Sequence, residues 1–141
     1  MTDATIGETL HRLLHAYKRA LRQAYEQGQI SLAVSHIRAL ESVASLEDCT
    51  AQAIVARTHL DKAQITRALN DLAAEGLIEK RENPGDRRSN LIVLSRAGRA
   101  LVTKIRKLES QAGAQMAEGL GPDELADFVR LARRMLDNLT E

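Results

Sequence analysis

The hydrophobic period of this chain switches from helical to strand-like at Gly76, and that change restricts the fold more than any other feature. Upstream of it Ile65, Leu69, Leu72 and Ala73 recur at helical spacing, the mark of a helix with one buried face. Downstream, Leu77 to Glu82 and Asn90 to Leu94 are short β-compatible runs, separated by Asn83-Pro84-Gly85-Asp86-Arg87-Arg88-Ser89. Pro presets φ and Gly supplies a positive φ, so Pro84-Gly85 predicts a type II turn and the whole segment a β-hairpin with a charged tip. Asp61 suits the N-cap of the helix, which runs from Lys62 to about Glu75, and Gly76 suits its left-handed stop.

Helical patterns flank this unit. Ile6, Leu10, Leu13, Tyr17, Ala20 and Ala24 mark one face of a helix from about Thr5 to Gln27, with Gly28 as its stop. Ser31 is placed to cap a second helix carrying Ile37, Leu40 and Ala44. Leu46 to Thr50 is a polar break, and Thr50 caps a short third helix, Ala51 to Arg57, with Ile54 and Val55 turned inward. Ser95 caps a long helix whose inner positions are Leu101, Ile105, Leu108, Ala112 and Met116, weakened at Gly113. After Gly119-Leu120-Gly121, Pro122 opens a last helix at its first position. Leu125, Phe128, Ala132, Met135 and Leu139 form its stripe, read as half of an interface because a two-helix hairpin cannot bury its own apolar face.

Composition narrows the function classes. The chain has 141 residues, room for one domain with appended helices. Aromatics are only 2%, so Leu, Ile, Val and Ala must build the core. No apolar run approaches the roughly 20 residues of a membrane span, and Met1 to Leu10 lacks the pattern of a signal peptide. The single Cys49 allows no intrachain disulfide framework, so a cytoplasmic protein is expected. Net charge is +1, but Arg57 to Arg106 holds 11 Lys/Arg against 6 Asp/Glu. A basic surface in mid-chain serves phosphate contact even when the whole molecule is nearly neutral.

Two short helices, a tight turn, a further helix and a basic-tipped hairpin follow the order of a winged helix-turn-helix. The fold class expected is mostly α with a small β-hairpin wing. A helix that enters the major groove needs apolar residues inside and small or polar ones outside. The outer face here offers Lys62, Gln64, Thr66, Arg67 and Asn70. Arg bonds guanine O6 and N7 as a fork, and Gln or Asn bonds adenine N6 and N7. Arg87, Arg88 and Ser89 at the hairpin tip complete the candidate DNA-binding set, aimed at an adjacent minor groove or at flanking phosphates.

The runs Asp61-Lys62-Ala63-Gln64-Ile65-Thr66-Arg67-Ala68-Leu69-Asn70-Asp71-Leu72, Glu75-Gly76-Leu77-Ile78-Glu79-Lys80, Asp86-Arg87-Arg88-Ser89 and Leu94-Ser95-Arg96-Ala97-Gly98 together resemble the MarR family of transcriptional regulators. The likeness spans about Ala51 to Leu101. It implies a homodimer joined by terminal helices, with residues 1–30 and 99–141 as dimerisation helices around a DNA-binding domain at 31–98. It also implies a pseudo-palindromic DNA operator, repression, and release by a small aromatic or phenolic effector. The family's readout arginine falls on Arg67 and its wing-tip arginine on Arg88. An acid at the start of the recognition helix often pairs with the latter, which here would be Asp61, so an Asp61–Arg88 brace of the wing is expected. His59 stands where the turn before the recognition helix often has Gly, and His tolerates the left-handed conformation.

Other residues support weaker readings. Tyr17 and His36 are candidates for an effector site, with packing in the dimer interface as the alternative for Tyr17 and Tyr25. His11 and His15, four apart on one helix, lack a third ligand at a convincing spacing, so they read as surface or interface residues and no metal is expected. Cys49 reads as an inert thiol rather than a peroxide sensor, because Glu47 and Asp48 beside it disfavour the thiolate. No triad order, metal motif or phosphate loop stands out, so neither an enzyme nor a cofactor is expected. The alternative function is a winged-helix module that docks a protein without binding DNA.

Overall fold

The computed structural model describes residues 3–140. Six helices and one hairpin follow in the order α1 (Asp3–Gln27), α2 (Val34–Ser45), α3 (Ala51–Thr58), α4 (Lys62–Ala74), β1 (Ile78–Glu82), β2 (Asn90–Leu94), α5 (Arg96–Met116) and α6 (Pro122–Leu139). The mostly helical fold with a two-stranded wing is the one expected. The strands pair antiparallel from Ile78–Leu94 to Glu82–Asn90.

One apolar core sits under the helix-turn-helix. Ile37 and Leu40 of α2, Ile54 of α3, Ile65 and Leu72 of α4, and Ile105 of α5 are fully buried. Each such side chain contributes roughly 1.5–3 kcal/mol of burial free energy. Ile78 and Ile92 carry the core into the hairpin. Two hydrogen bonds fix the wing to the lobe: Ile92 N–H donates to the Cys49 carbonyl at 2.8 Å, and Ser95 N–H to the Leu77 carbonyl at 3.0 Å. Ser95 Oγ accepts from Gly98 N–H at 3.0 Å and donates to the Gly76 carbonyl at 2.6 Å, so one hydroxyl caps α5 and ties it to the end of α4. Gly98 is required there because a Cβ would run into the Leu77 carbonyl.

Several local expectations are corrected. The left-handed residue after α1 is Gln29, at φ 62°, not Gly28. Ile30 N–H donates to the Tyr25 carbonyl and Gln29 N–H to that of Glu26, which is the Schellman ending. Gly28 serves close packing instead: a Cβ on it would stand 2.5 Å from Leu108 Cδ1 of α5. Ser31 does not cap α2. Ile30 and Leu32 are drawn against the core, so the helix starts only at Val34, with Ala33 at the N-cap and no side-chain bond there. On α5 Ile105 and Ala112 are buried and Leu101 and Leu108 pack against the core as expected, but Gly98 and Val102 are buried too and Met116 is exposed. Thr50, Asp61, Gly76, Ser95 and Pro122 do end or begin helices as expected.

The terminal helices behave differently. α1 lies along α5, but Ile6, Leu10 and Leu14 of α1 remain exposed. α6 buries none of its residues.

Candidate nucleic-acid interface

The turn ahead of α4 is made by His59, which adopts the left-handed conformation at φ 57° while its N–H closes α3 on the Val55 carbonyl. Thr58, buried, donates from Oγ1 to the Ile54 carbonyl at 2.8 Å and accepts from Leu60 N–H at 3.3 Å. The bend is therefore satisfied by its own polar atoms. α4 then opens with a capping box: Asp61 Oδ1 accepts from Ala63 N–H at 3.2 Å, and Gln64 Oε1 accepts from Asp61 N–H at 3.4 Å.

Burial of Ile65, Ala68, Leu69 and Leu72 turns Ala63, Arg67 and Asn70 directly away from the core. Arg67 is exposed. The small Ala63 beside it permits close approach of a flat surface. Lys62, Thr66 and Asn70 follow each other along the side of α4 that faces the wing. With Lys80, Arg88 and Ser89 they line a hollow of about 610 Å³ between helix and hairpin. Among the described residues Lys62, Arg67, Arg87 and Arg88 form no ion pair. Their charge is therefore available to phosphate.

The wing tip is built from two side-chain-capped turns. Asn83 Oδ1 accepts from Gly85 N–H at 3.0 Å, and Asp86 Oδ1 from Arg88 N–H at 2.9 Å. Gly85 stays out of the left-handed region, so the expected type II turn does not form. An Asn side chain that takes the N–H two residues on holds the chain in a turn without needing a positive φ. Asn83 Nδ2 also donates to Ser89 Oγ at 3.2 Å, which engages Ser89 inside the wing.

The expected Asp61–Arg88 brace is not formed: among the described residues no ion pair joins them. Asp61 is committed to the cap of α4, and Arg88 lines the hollow instead. The structure brings Lys62, Thr66, Asn70, Arg88 and Ser89 around one hollow. Gln64, held by the capping box, and Arg67 and Arg87 stand outside its lining. Lys80 was not among the expected residues. Its signal was present: strand alternation puts 78, 80 and 82 on one face, and Ile78 is inward.

A second polar cluster lies where α1, α2 and α5 meet. Tyr25 Oη donates to Glu109 Oε2 at 2.8 Å. Burial, a hydrogen bond to Glu109 and its charge push the Glu41 carboxyl up to about 7, against the pull of Arg106 and Arg38. Burial and the same two carboxyls raise Tyr17. His36 belongs to a different contact: its Nε2 meets Asp71 Oδ2 at 2.8 Å, which ties α2 to α4. Tyr17 and His36, the two effector candidates, thus belong to separate contacts. Cys49 is buried, and burial pushes its thiol up to about 11 despite Arg57, as suits an inert cysteine.

The sequence model of the MarR family matches residues 30–89. A Bacillus subtilis (strain 168) protein, the uncharacterized HTH-type transcriptional regulator YwhA, is 27% identical over 135 residues, covering 94% of this chain and 96% of the relative. A mutant of MarR from E. coli complexed with operator DNA superposes with a TM-score of 0.80 at 22% identity, covering 94% of each chain. BpsR of Bordetella bronchiseptica, solved to explain regulation of its DNA binding by 6-hydroxynicotinic acid, superposes with a TM-score of 0.72 at 29% identity. That match covers 90% of this chain and 91% of BpsR.

Proposed function

We propose that this chain is a DNA-binding transcriptional regulator of the MarR family, whose model matches residues 30–89, and that it acts as a homodimeric repressor on a pseudo-palindromic operator. We propose further that a small aromatic or phenolic effector releases it. The observation that carries the operator reading is an exposed Arg67 on the outward face of α4, next to a wing whose Arg88 shares a hollow with Lys62, Thr66 and Asn70 and, like Arg87, forms no ion pair among the described residues. A helix in the major groove and arginines reaching past it are the two halves of one grip. The full interface comprises Lys62, Gln64, Thr66, Arg67, Asn70, Arg87, Arg88 and Ser89.

Dimerisation is assigned to residues 1–30 and 99–141. The support is the apolar surface left open on α1 and α6, including Ile6, Leu10, Phe128, Met135 and Leu136. Two-fold symmetry then sets half-sites about 10 bp apart, one turn of duplex. An effector works by preferring a dimer whose recognition helices are misspaced for that site. Regulation of BpsR by 6-hydroxynicotinic acid supports an aromatic ligand, and Tyr17 and His36 remain the residues to test.

The experiment is selection of bound sequences from random duplex DNA by the purified protein. An inverted repeat is expected, with affinity falling steeply with salt. Arg67→Ala should weaken the selected site by roughly 1–3 kcal/mol and relax one position, while Arg88→Ala should weaken all sequences alike. Enrichment of a single asymmetric half-site would overturn the dimeric reading. A panel of phenolic and pyridine carboxylates that leaves the complex intact would overturn release by such ligands.

A further inference from the structure

Asn70 lies on the line of α4 that points away from the core, one turn after Arg67. Lys80 reaches it from β1, with Nζ donating to Asn70 Oδ1 at 2.9 Å. An ammonium has three donors and no acceptor, so this bond fixes which end of the amide is which. Lys80 engages one of the two lone pairs of Oδ1, and among the described residues Nδ2 takes part in no bond. Reading adenine takes both ends of an Asn amide, Oδ1 accepting from N6 and Nδ2 donating to N7. Oδ1 keeps a second lone pair, but the ammonium stands beside it, so the pair presents mostly donors and a positive charge to a base edge. Guanine shows two acceptors, O6 and N7, on the same edge, whereas the amino groups of adenine and cytosine would face a positive charge.

We propose that Lys80 is a specificity-determining residue that, by placing its ammonium on Asn70 Oδ1, turns an adenine-reading side chain into a donor-rich, positively charged pair selecting guanine. The proposal rests on α4 lying in the major groove. Both side chains line the hollow between α4 and the wing, beside the face where a base edge would enter. A lysine that merely braced β1 against α4 would affect stability and leave base choice alone. A lysine that only met phosphate would weaken every sequence equally.

Selection from random duplexes separates these roles when run on the full chain as wild type, Lys80→Met, Lys80→Arg and Asn70→Ala. Lys80 is exposed, so its variants keep the fold. The wild type should enrich guanine at one position of each half-site by about tenfold over other bases, the discrimination of a good bidentate contact. Asn70→Ala should flatten that position alone, Lys80→Met should move it to adenine, and Lys80→Arg should keep guanine. A Lys80→Met consensus identical to the wild type overturns the proposal and leaves the groove placement standing. If the wild type enriches no sequence, the groove placement fails and takes the proposal with it.

Discussion

Ile54, Ile65 and Leu72 in the winged lobe are wholly covered by their own protomer, whereas Phe128, Met135 and Leu136 on α6 are at least half exposed. Both sets are spaced along amphipathic helices. In the lobe α2, α3, α4 and α5 close around one core and the hairpin caps it, so the shape of the proposed DNA-reading surface is internal to one chain. The terminal helices have no such closure. In the proposed dimer their arrangement, and with it the spacing of the two α4 helices, would depend on the partner. On the proposed function, such a division would hold each grip rigid and leave the distance between the two grips adjustable.

The largest expected effect tests the open side. Phe128→Glu with Met135→Glu should convert the dimer to monomer in sedimentation. It should lower affinity for the full operator by on the order of 10²–10⁴, since the second half-site no longer binds intramolecularly. A double variant that stays dimeric would move the interface off α6. On the closed side, Leu72→Ala should cost about 2–5 kcal/mol in denaturant unfolding. Gly98→Ala should cost roughly 1–3 kcal/mol, because its Cβ meets the backbone of Leu77 rather than a yielding side chain.

The joint between the two regions responds to pH. Glu41 is held near 7 in the folded protein against 4.5 for an ordinary carboxyl, so between those values the folded state keeps a proton that the unfolded chain has released. Its contribution to stability is complete below about 4.5 and is lost as pH rises through about 7. Glu41→Gln should flatten a fall in melting temperature between pH 5 and 8 and leave the variant the more stable of the two at pH 8. An unchanged slope would mean that the carboxyl is not protonated in the fold. The smallest effect is expected at Gly113, where a Cβ meets nothing within 4 Å. Gly113→Ala should gain about 0.5–1 kcal/mol, and a loss instead would place a partner helix against that turn.

Most of the fold was legible because its signals are local. Asp61 and Ser95 at N-caps, Gly76 and His59 at positive φ, and the period change after α4 each act within a few residues. Errors arose where a local signal had a competing tertiary use. Gly28 looked like a helix stop and is a packing glycine against Leu108. Ser31 looked like a cap, but its neighbours Ile30 and Leu32 are drawn into the core. Pro84-Gly85 suggested one turn type, and the side chain of Asn83 imposed another. Of the candidate interface, the α4 face followed from helical spacing, while the role of Lys80 required knowing where β1 lies against α4.

The amino-acid order alone determined the succession of helices and hairpin, the inward and outward faces of α4, and the concentration of cations at the wing. These follow from backbone capping and from the periods of helix and strand, which relate residues a few positions apart. Only the tertiary structure decided that Lys80 holds Asn70, that His36 meets Asp71, and that Tyr25 and Glu41 converge on Glu109. Those contacts join separate elements, and no spacing in the chain encodes how two packed elements are turned against each other.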